Sequence, residues 1–223
     1  MRSRIKISKQ QMKQDSFTTF MLKAKDFFLE NWQLTTIIIV AVVLVIVGVT
    51  YYANIKSNKQ REAANRMSNA IGELRRQNYQ VAILELNSII DEYSGNVAGL
   101  AHFYAGNAYY ESRNYDEAIN SYRRYVDKFH QDKLTTASAM AGIAACLENK
   151  QEFQPAAEQF TKAADYYPAG ANVPDYLVGA VRNYVNAGMR AEADKILARL
   201  EEDFSGTVYY RNAVDLAMQL KTE

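Results

Sequence analysis

Hydrophobic and polar positions fall into three regimes along the chain. Between Asn31 and Ile55 no side chain is charged, and Ile37 to Val49 is a nearly unbroken run of Ile, Val and Leu. Ahead of it, Phe17, Phe20, Met21, Ala24 and Phe28 recur at three- and four-residue steps. That spacing predicts a helix over residues 16–30 with one apolar face beside Lys23 and Lys25. Beyond residue 60, Ala, Leu, Ile and Tyr keep helical spacing, punctuated only by Pro155, Pro168 and Pro174. No stretch carries a competing strand signal, so the pattern predicts an all-α protein.

Counting Leu34 to Tyr52 as helix gives 19 residues, roughly 28 Å at 1.5 Å per residue, about the thickness of a bilayer's hydrocarbon core. In lipid a lone segment must satisfy its own backbone, so helix wins over strand despite the many β-branched side chains. Trp32, Tyr51 and Tyr52 flank the run at the depth where amphipathic rings meet the headgroups. A cleaved leader needs a short basic head and small residues before the cut, whereas here 33 residues precede the run and two tyrosines follow it. A buried core helix of this length would carry a polar face. The sequence therefore predicts a basic head over residues 1–33, a transmembrane helix over 34–53 and a linker helix over 54–62. The head holds seven Lys/Arg against three Asp/Glu, and the rest of the chain 19 against 22.

Charge leaves the orientation of the span open. Lys23 and Lys25 stand near one end and Lys56, Lys59, Arg61 and Arg66 near the other, while Arg2, Arg4, Lys6, Lys9 and Lys13 would be drawn to an anionic cytoplasmic leaflet. Two arrangements also fit the helix over 16–30: it lies flat on the membrane, or it continues into the span.

The helical remainder repeats itself. Its clearest unit, residues 105–125, carries Ala105-Gly106 with Tyr109, then Tyr115, then Ala118 with Tyr122 four residues on. A second unit carries Ala144, Leu147, Phe153, Ala156, Phe160 and Pro168; a third carries Tyr184, Gly188, Ala193 and Leu197; an earlier, weaker one carries Ala70, Tyr79, Ala82 and Leu86. The alanines Ala82, Ala118, Ala156 and Ala193 are spaced 36, 38 and 37 residues apart, and the aromatics Tyr93, Phe129, Tyr167 and Phe204 keep the same intervals. Two independent markers in step argue against a chance match.

This pattern resembles the tetratricopeptide repeat (TPR), in which small residues let two antiparallel helices approach and aromatics fill the space beside them. His102 and His130 depart from it, standing where the family often has Trp and Pro. The resemblance implies repeats over approximately 63–96, 99–132, 137–170 and 174–207, with the excess over the family period placed in the connections after Tyr93, Phe129 and Tyr167. Solenoid ends need modified faces. Arg66, Asn69 and Glu73 are polar where a preceding repeat would pack, and Tyr209, Ala213, Leu216, Ala217 and Leu220 predict a capping helix over 208–221. The expected fold is one N-terminal transmembrane helix followed by an α-solenoid of about four helix pairs and a cap.

Composition narrows the function. With 26 basic and 25 acidic side chains the chain lacks the positive excess of a strongly basic nucleic-acid binder. One cysteine and two histidines make neither an internal disulfide nor a zinc-finger ligand set. His102 has no acid or nucleophile beside it in sequence and occupies a packing slot. Cys146, between Ala145 and Leu147, reads as a small buried hydrophobe. The glycines form no phosphate cradle, and the acidic pairs Asp91-Glu92, Asp116-Glu117 and Glu201-Glu202 read as solvated faces. The expectation is a protein with no catalytic residues, metal, cofactor or small-molecule substrate, one that binds other proteins rather than an enzyme.

In the repeat family the first helix of each pair lines a concave surface suited to a polypeptide segment. By phase with the family pattern that lining comprises Met67, Ile71, Phe103, Asn107, Tyr110, Ala141, Glu148, Val178 and Arg182, which makes an apolar and aromatic groove. Members that clamp a C-terminal carboxylate use Lys, Asn and Arg on this face. Asn107 fits, but Phe103 and Ala141 stand where basic or amide residues belong, so a clamp is not expected. The aromatics either meet a partner or pack against neighbouring loops, and the sequence leaves both open.

The order of basic head, KAKDFFLENWQ (Lys23 to Gln33), single span, Tyr51-Tyr52, charged linker and repeats is similar to the bacterial ancillary SecYEG translocon-subunit family typified by YfgM. Phe27, Phe28, Glu30 and Asn31 carry the sharpest local match. The resemblance implies a single-pass protein of the bacterial inner (cytoplasmic) membrane, with its N-terminus in the cytoplasm and its repeats in the periplasm. It implies translocon subunits, nascent secreted chains or periplasmic chaperones as partners. Two other roles fit the same repeats: a scaffold for envelope assembly or cell division, and an organelle receptor with cytosolic repeats.

Overall fold

The computed structural model describes residues 9–130 and 132–219, and among them finds ten α-helices and no strand. The chain divides into two units, one up to Lys59 and one from Gln60 onward.

The first unit holds α1 (Lys9–Glu30) and the first part of α2 (Trp32–Arg75). Asn31 alone separates the two, and the hydrogen-bond ladder passes through it: its N–H donates to the Phe27 carbonyl at 3.0 Å and its carbonyl accepts from the Thr35 N–H at 2.9 Å. Phe20 and Met21 are exposed; the side chains of Phe17, Phe28, Lys9 and Lys13, and residues Arg2, Arg4 and Lys6, lie outside the described residues. Along α2 the apolar side chains from Ile37 to Val49 are exposed, Ile37 at 66% and Leu44 at 65%. The threonines flanking this stretch close their hydroxyls on their own helix. Thr35 and Thr36 donate to the Trp32 carbonyl at 2.9 and 2.7 Å, and Thr50 to those of Ile46 and Val47. Such back-bonding satisfies each hydroxyl within its own helix, without water.

The second unit is a stack of helix pairs. The Gln60–Arg75 part of α2 packs with α3 (Tyr79–Glu92) through Met67 and Ala70 against Ala82 and Leu86. Then come α4 (Asn96–Glu111) with α5 (Tyr115–Lys128), α6 (Lys133–Asn149) with α7 (Phe153–Tyr166), and α8 (Val173–Asn186) with α9 (Arg190–Phe204). Helix α10 (Val208–Gln219) closes on α8 and α9, burying Ala213 completely with Tyr210 and Ala217 beside it; Leu220 lies outside the described residues. Helix α5 shows why these segments fold as they do. Ala118, Ile119, Tyr122 and Tyr125 form its buried stripe, while Asp116 and Glu117 sit at the positive end of its dipole and Lys128 at the negative end.

The turn inside each pair repeats in fine detail. Gln77, Arg113, Gln151 and Gly188 have φ between 63° and 71°, and their spacing of 36, 38 and 37 residues matches the alanine and aromatic markers. In each turn the next N–H reaches back five residues, as Asn114 does to the Tyr109 carbonyl at 2.8 Å, while the left-handed residue bonds three back, as Arg113 does to Tyr110 at 2.9 Å. This is the Schellman closure, for which glycine is the favoured residue. Only the fourth turn has it; each other residue holds a side chain in the left-handed region at a cost of about 1 kcal/mol. Arg113→Gly is therefore expected to raise the stability of the repeats by about 0.5–1 kcal/mol. A urea midpoint that fails to rise would show that the Arg113 side chain contributes more than its backbone costs.

Small residues and rings meet as the repeat pattern demands. A Cβ placed on Gly106 of α4 would lie 2.6 Å from the Tyr122 ring, and one on Gly142 of α6 would lie 2.7 Å from the same ring. Phe129 covers Gly99 and Phe160 covers Gly179 in the same manner. Tyr93, Phe129, Tyr167 and Phe204 are half-buried against the cores of their pairs.

At the first pair the structure corrects one expectation. Arg66 does not face outward toward a preceding repeat; it turns onto α3, donating to Glu85 at 2.6 Å, Ser88 at 2.7 Å and Glu92 at 2.5 Å. Its guanidinium also lies 5.9 Å from the centre of the Tyr93 ring. Glu73 accepts from Arg76 and Asn78 at the turn, and Asn69 is exposed.

Candidate functional site

The first helix of each pair brings the groove residues onto one face by their spacing. Met67 and Ile71 are four apart on α2, Phe103, Asn107 and Tyr110 follow at four and three on α4, and Val178 and Arg182 are four apart on α8. On α6, Ala141 and Glu148 are two turns apart.

Much of this face is tied up within the protein. Arg182 grips Glu148 with both arms of its fork, Nε at 2.5 Å and Nη2 at 2.8 Å, so α8 and α6 are joined across the face. The Glu148 carboxylate holds the Arg182 guanidinium above its ordinary pKa, against the opposing effect of burial. Asn107 Oδ1 accepts from the Tyr122 hydroxyl at 2.7 Å. Asn149 bridges two tyrosines, donating to the Tyr110 oxygen and accepting from the Tyr115 hydroxyl, both at 3.2 Å. Burial, above all, pushes the Tyr110 phenol upward. Phe103 meets the rings of Tyr104, Tyr122 and Tyr125 with centroids 5.4–6.1 Å away. Ala141 is buried in the core spanning α6 to α10, and Val178 packs against it.

An open cavity on this face lies at the first pair, where Met67 itself is buried in the core of the pair and Ile71 is half-buried. A cavity of about 560 Å³ runs between α2 and the start of α4, lined by Met67, Ile71, Gly72, Val97 and Leu100, by the polar Gln60 and Ser68, and by the exposed Arg75. Met67 and Ile71 are thus brought together with Val97 and Leu100, which helical phase with the repeat pattern does not mark. The signal for one of them was present in the sequence: Leu100, 40% exposed, is an apolar residue one turn ahead of Phe103.

Elsewhere, a cavity of about 510 Å³ between α5 and α7 is lined by charges of both signs, among them Arg123, Asp127, Glu158 and Lys162. Another of about 340 Å³ includes Asn87, Asp91, His102 and Arg124. His102 lies against Phe129, ring centres 5.8 Å apart. Burial first, then the Arg124 and Lys128 cations, lower its pKa and so favour the neutral ring. Cys146 is fully buried and its thiol is pushed up to about 12 by desolvation, so it carries no reactive thiolate near neutral pH.

The family model described as a tetratricopeptide repeat-like domain matches residues 25–173, taking in the apolar stretch of α2 and the first three pairs. Among curated proteins none matches the chain in sequence. Among solved structures, a tetratricopeptide repeat protein from Parabacteroides merdae is similar with a TM-score of 0.60 at 11% identity, over 72% of this chain and 60% of that one. The apo form of RapI is similar with a TM-score of 0.61 at 17% identity, over 77% of this chain and 53% of that one. The nearly identical TPR-like repeats of a putative kinesin light chain from Podosopora anserina give 0.53 at 12% identity, over 72% and 93%. This chain thus spans 60% and 53% of the length of the first two, and at these identities the likeness is one of fold. Such repeat stacks serve as scaffolds for protein–protein interaction. The repeated turns, the rings seated on glycines and a family match over more than half of the sequence agree, and the chain belongs to the tetratricopeptide repeat-like domain family.

Proposed function

We propose that this protein is a single-pass membrane adaptor whose repeats bind polypeptide segments. In this reading it sits in a bacterial inner membrane, its head in the cytoplasm and its repeats in the periplasm. There it is an ancillary factor at the Sec translocon that hands emerging chains to periplasmic chaperones.

The observation that carries the anchored reading is the exposed apolar stretch of α2. Its large side chains between Ile37 and Val49 are all more than half exposed. At about 2 kcal/mol for each, leaving them in water would forfeit on the order of 20 kcal/mol. The self-satisfied threonine hydroxyls fit the same environment. The family match beginning at residue 25 supports a resident anchor, because removing a leader after this run would cut into the matched region. Placement beside the translocon, and the orientation, are supported by the likeness of Lys23 to Gln33 and of Tyr51-Tyr52 to the ancillary translocon-subunit family.

Purification from native membranes in mild detergent is expected to recover channel subunits with the protein. Recovery of only division or outer-membrane machinery contradicts the translocon role and favours an envelope scaffold. Protease added to intact spheroplasts is expected to remove the repeats and spare the head; protected repeats would instead place them in the cytosol.

A further inference from the structure

We propose that partners dock at the first-pair end of the concave face, and that this end takes a short apolar polypeptide segment carrying an acidic side chain. The proposal rests on the reading of the protein as a polypeptide-binding scaffold and adds to it a location and a ligand chemistry.

Location follows from what a ligand must displace. Toward α8 it would have to break the Glu148–Arg182 fork, and around α4 the bonds of Asn107 and Tyr110 and the ring contacts of Phe103. At the first pair the cavity of about 560 Å³ is already open, within the size range of pockets that receive a few side chains or a small ligand. Its walls are mostly apolar, with Gln60 and Ser68 as neutral polar groups among them, and a Cβ added to Gly72 would meet nothing within 4 Å.

The acidic preference follows from charge. Arg75 is the sole charged residue among those lining the cavity; it is exposed, and none of the ion pairs found among the described residues includes it. Its neighbour Arg76, by contrast, is paired with Glu73 at 2.7 Å. A carboxylate on an incoming segment supplies the missing partner, and a lysine in its place is repelled.

The test uses the full chain in lipid nanodiscs and fluorescent ten-residue peptides with a Leu/Ile core flanked by one Glu, Gln or Lys. The Glu peptide is expected to bind about fivefold more tightly than the Lys peptide, as an exposed ion pair of up to about 1 kcal/mol allows. High salt shrinks the difference, and Arg75→Glu reverses the order. Gly72→Phe is expected to fill the cavity and abolish binding of all three peptides while the thermal midpoint holds or rises, since glycine is unfavourable inside a helix. Equal affinities for the three peptides, an order that survives Arg75→Glu, or undiminished binding to Gly72→Phe each overturn the proposal. Binding that survives Gly72→Phe leaves the scaffold reading intact and moves the ligand elsewhere on the stack. Absence of binding to the wild-type chain overturns the proposal, and the scaffold reading then stands or falls with the co-purification described above.

Discussion

Placing Asp at Gly106 is expected to abolish the cooperative unfolding transition of the repeats. The Tyr122 ring fills the space where a side chain would go, and it cannot retreat, because its other flank rests on Gly142 of α6. Any side chain at this position overpacks the site, at about 1–3 kcal/mol. A carboxylate adds the cost of a buried charge without a partner, several kcal/mol more. Whole domains are held by only about 5–15 kcal/mol, and a solenoid depends on each neighbouring interface. Ala118→Asp, at a fully buried position on α5, is expected to act in the same way, whereas Gly106→Ala gives the smaller overpacking cost alone. Denaturant unfolding of the detergent-solubilised chain, followed by circular dichroism, is the check. An unchanged midpoint for Gly106→Asp would mean that the ring and the glycine are not in contact.

Tyr122→Ala is expected to cost about 3–5 kcal/mol, the usual range for removing a buried aromatic from a site that cannot collapse. The ring is 3% exposed and serves two helices at once, through Gly106 and Gly142. Tyr122→Phe removes only the hydroxyl that donates to Asn107 and is expected to cost about 1 kcal/mol. Burial holds the Tyr122 phenol far above its ordinary pKa, so it stays a neutral donor and the cost of Tyr122→Phe relative to the wild type is independent of pH from roughly 6 to 9. Comparable losses for Ala and Phe would assign the stabilisation to the hydrogen bond instead of the ring. The two sites also couple: the cavity left by Tyr122→Ala has room for the methyl group of Gly106→Ala, so the double variant is expected to be less destabilised than the sum of the singles.

The stack was legible in the sequence because its packing is local. Ala82, Ala118, Ala156 and Ala193 mark second helices whose contacts are made within or next to their own pair, so a fixed period along the chain reports a fixed contact in space. The turns were only partly legible. Gly188 announces a left-handed residue by composition, but Gln77, Arg113 and Gln151 adopt the same backbone without that signature. Arg66 was recognisably polar, yet its direction depends on Glu85, Ser88 and Glu92 of the neighbouring helix, which helical phase alone does not supply.

For the groove, phase assigns residues to a face but not to its open part. Glu148 and Arg182 are 34 residues apart and meet only because α6 and α8 hold them at a fork's length. Val97 and Leu100 carry no mark in the repeat pattern because they lie in the first turns of α4, ahead of the positions that it sets.

Whether the concave face of these repeats engages polypeptides at the membrane is read most directly by site-specific photo-crosslinking in intact membranes. The probe is placed in turn at Ile71, Phe103 and Tyr110, with Glu158 on the second helix of its pair as the control. A membrane-held scaffold working through the first helices gives protein adducts from the concave positions and none from Glu158. Adducts from both faces alike, or none from the concave positions, would contradict it.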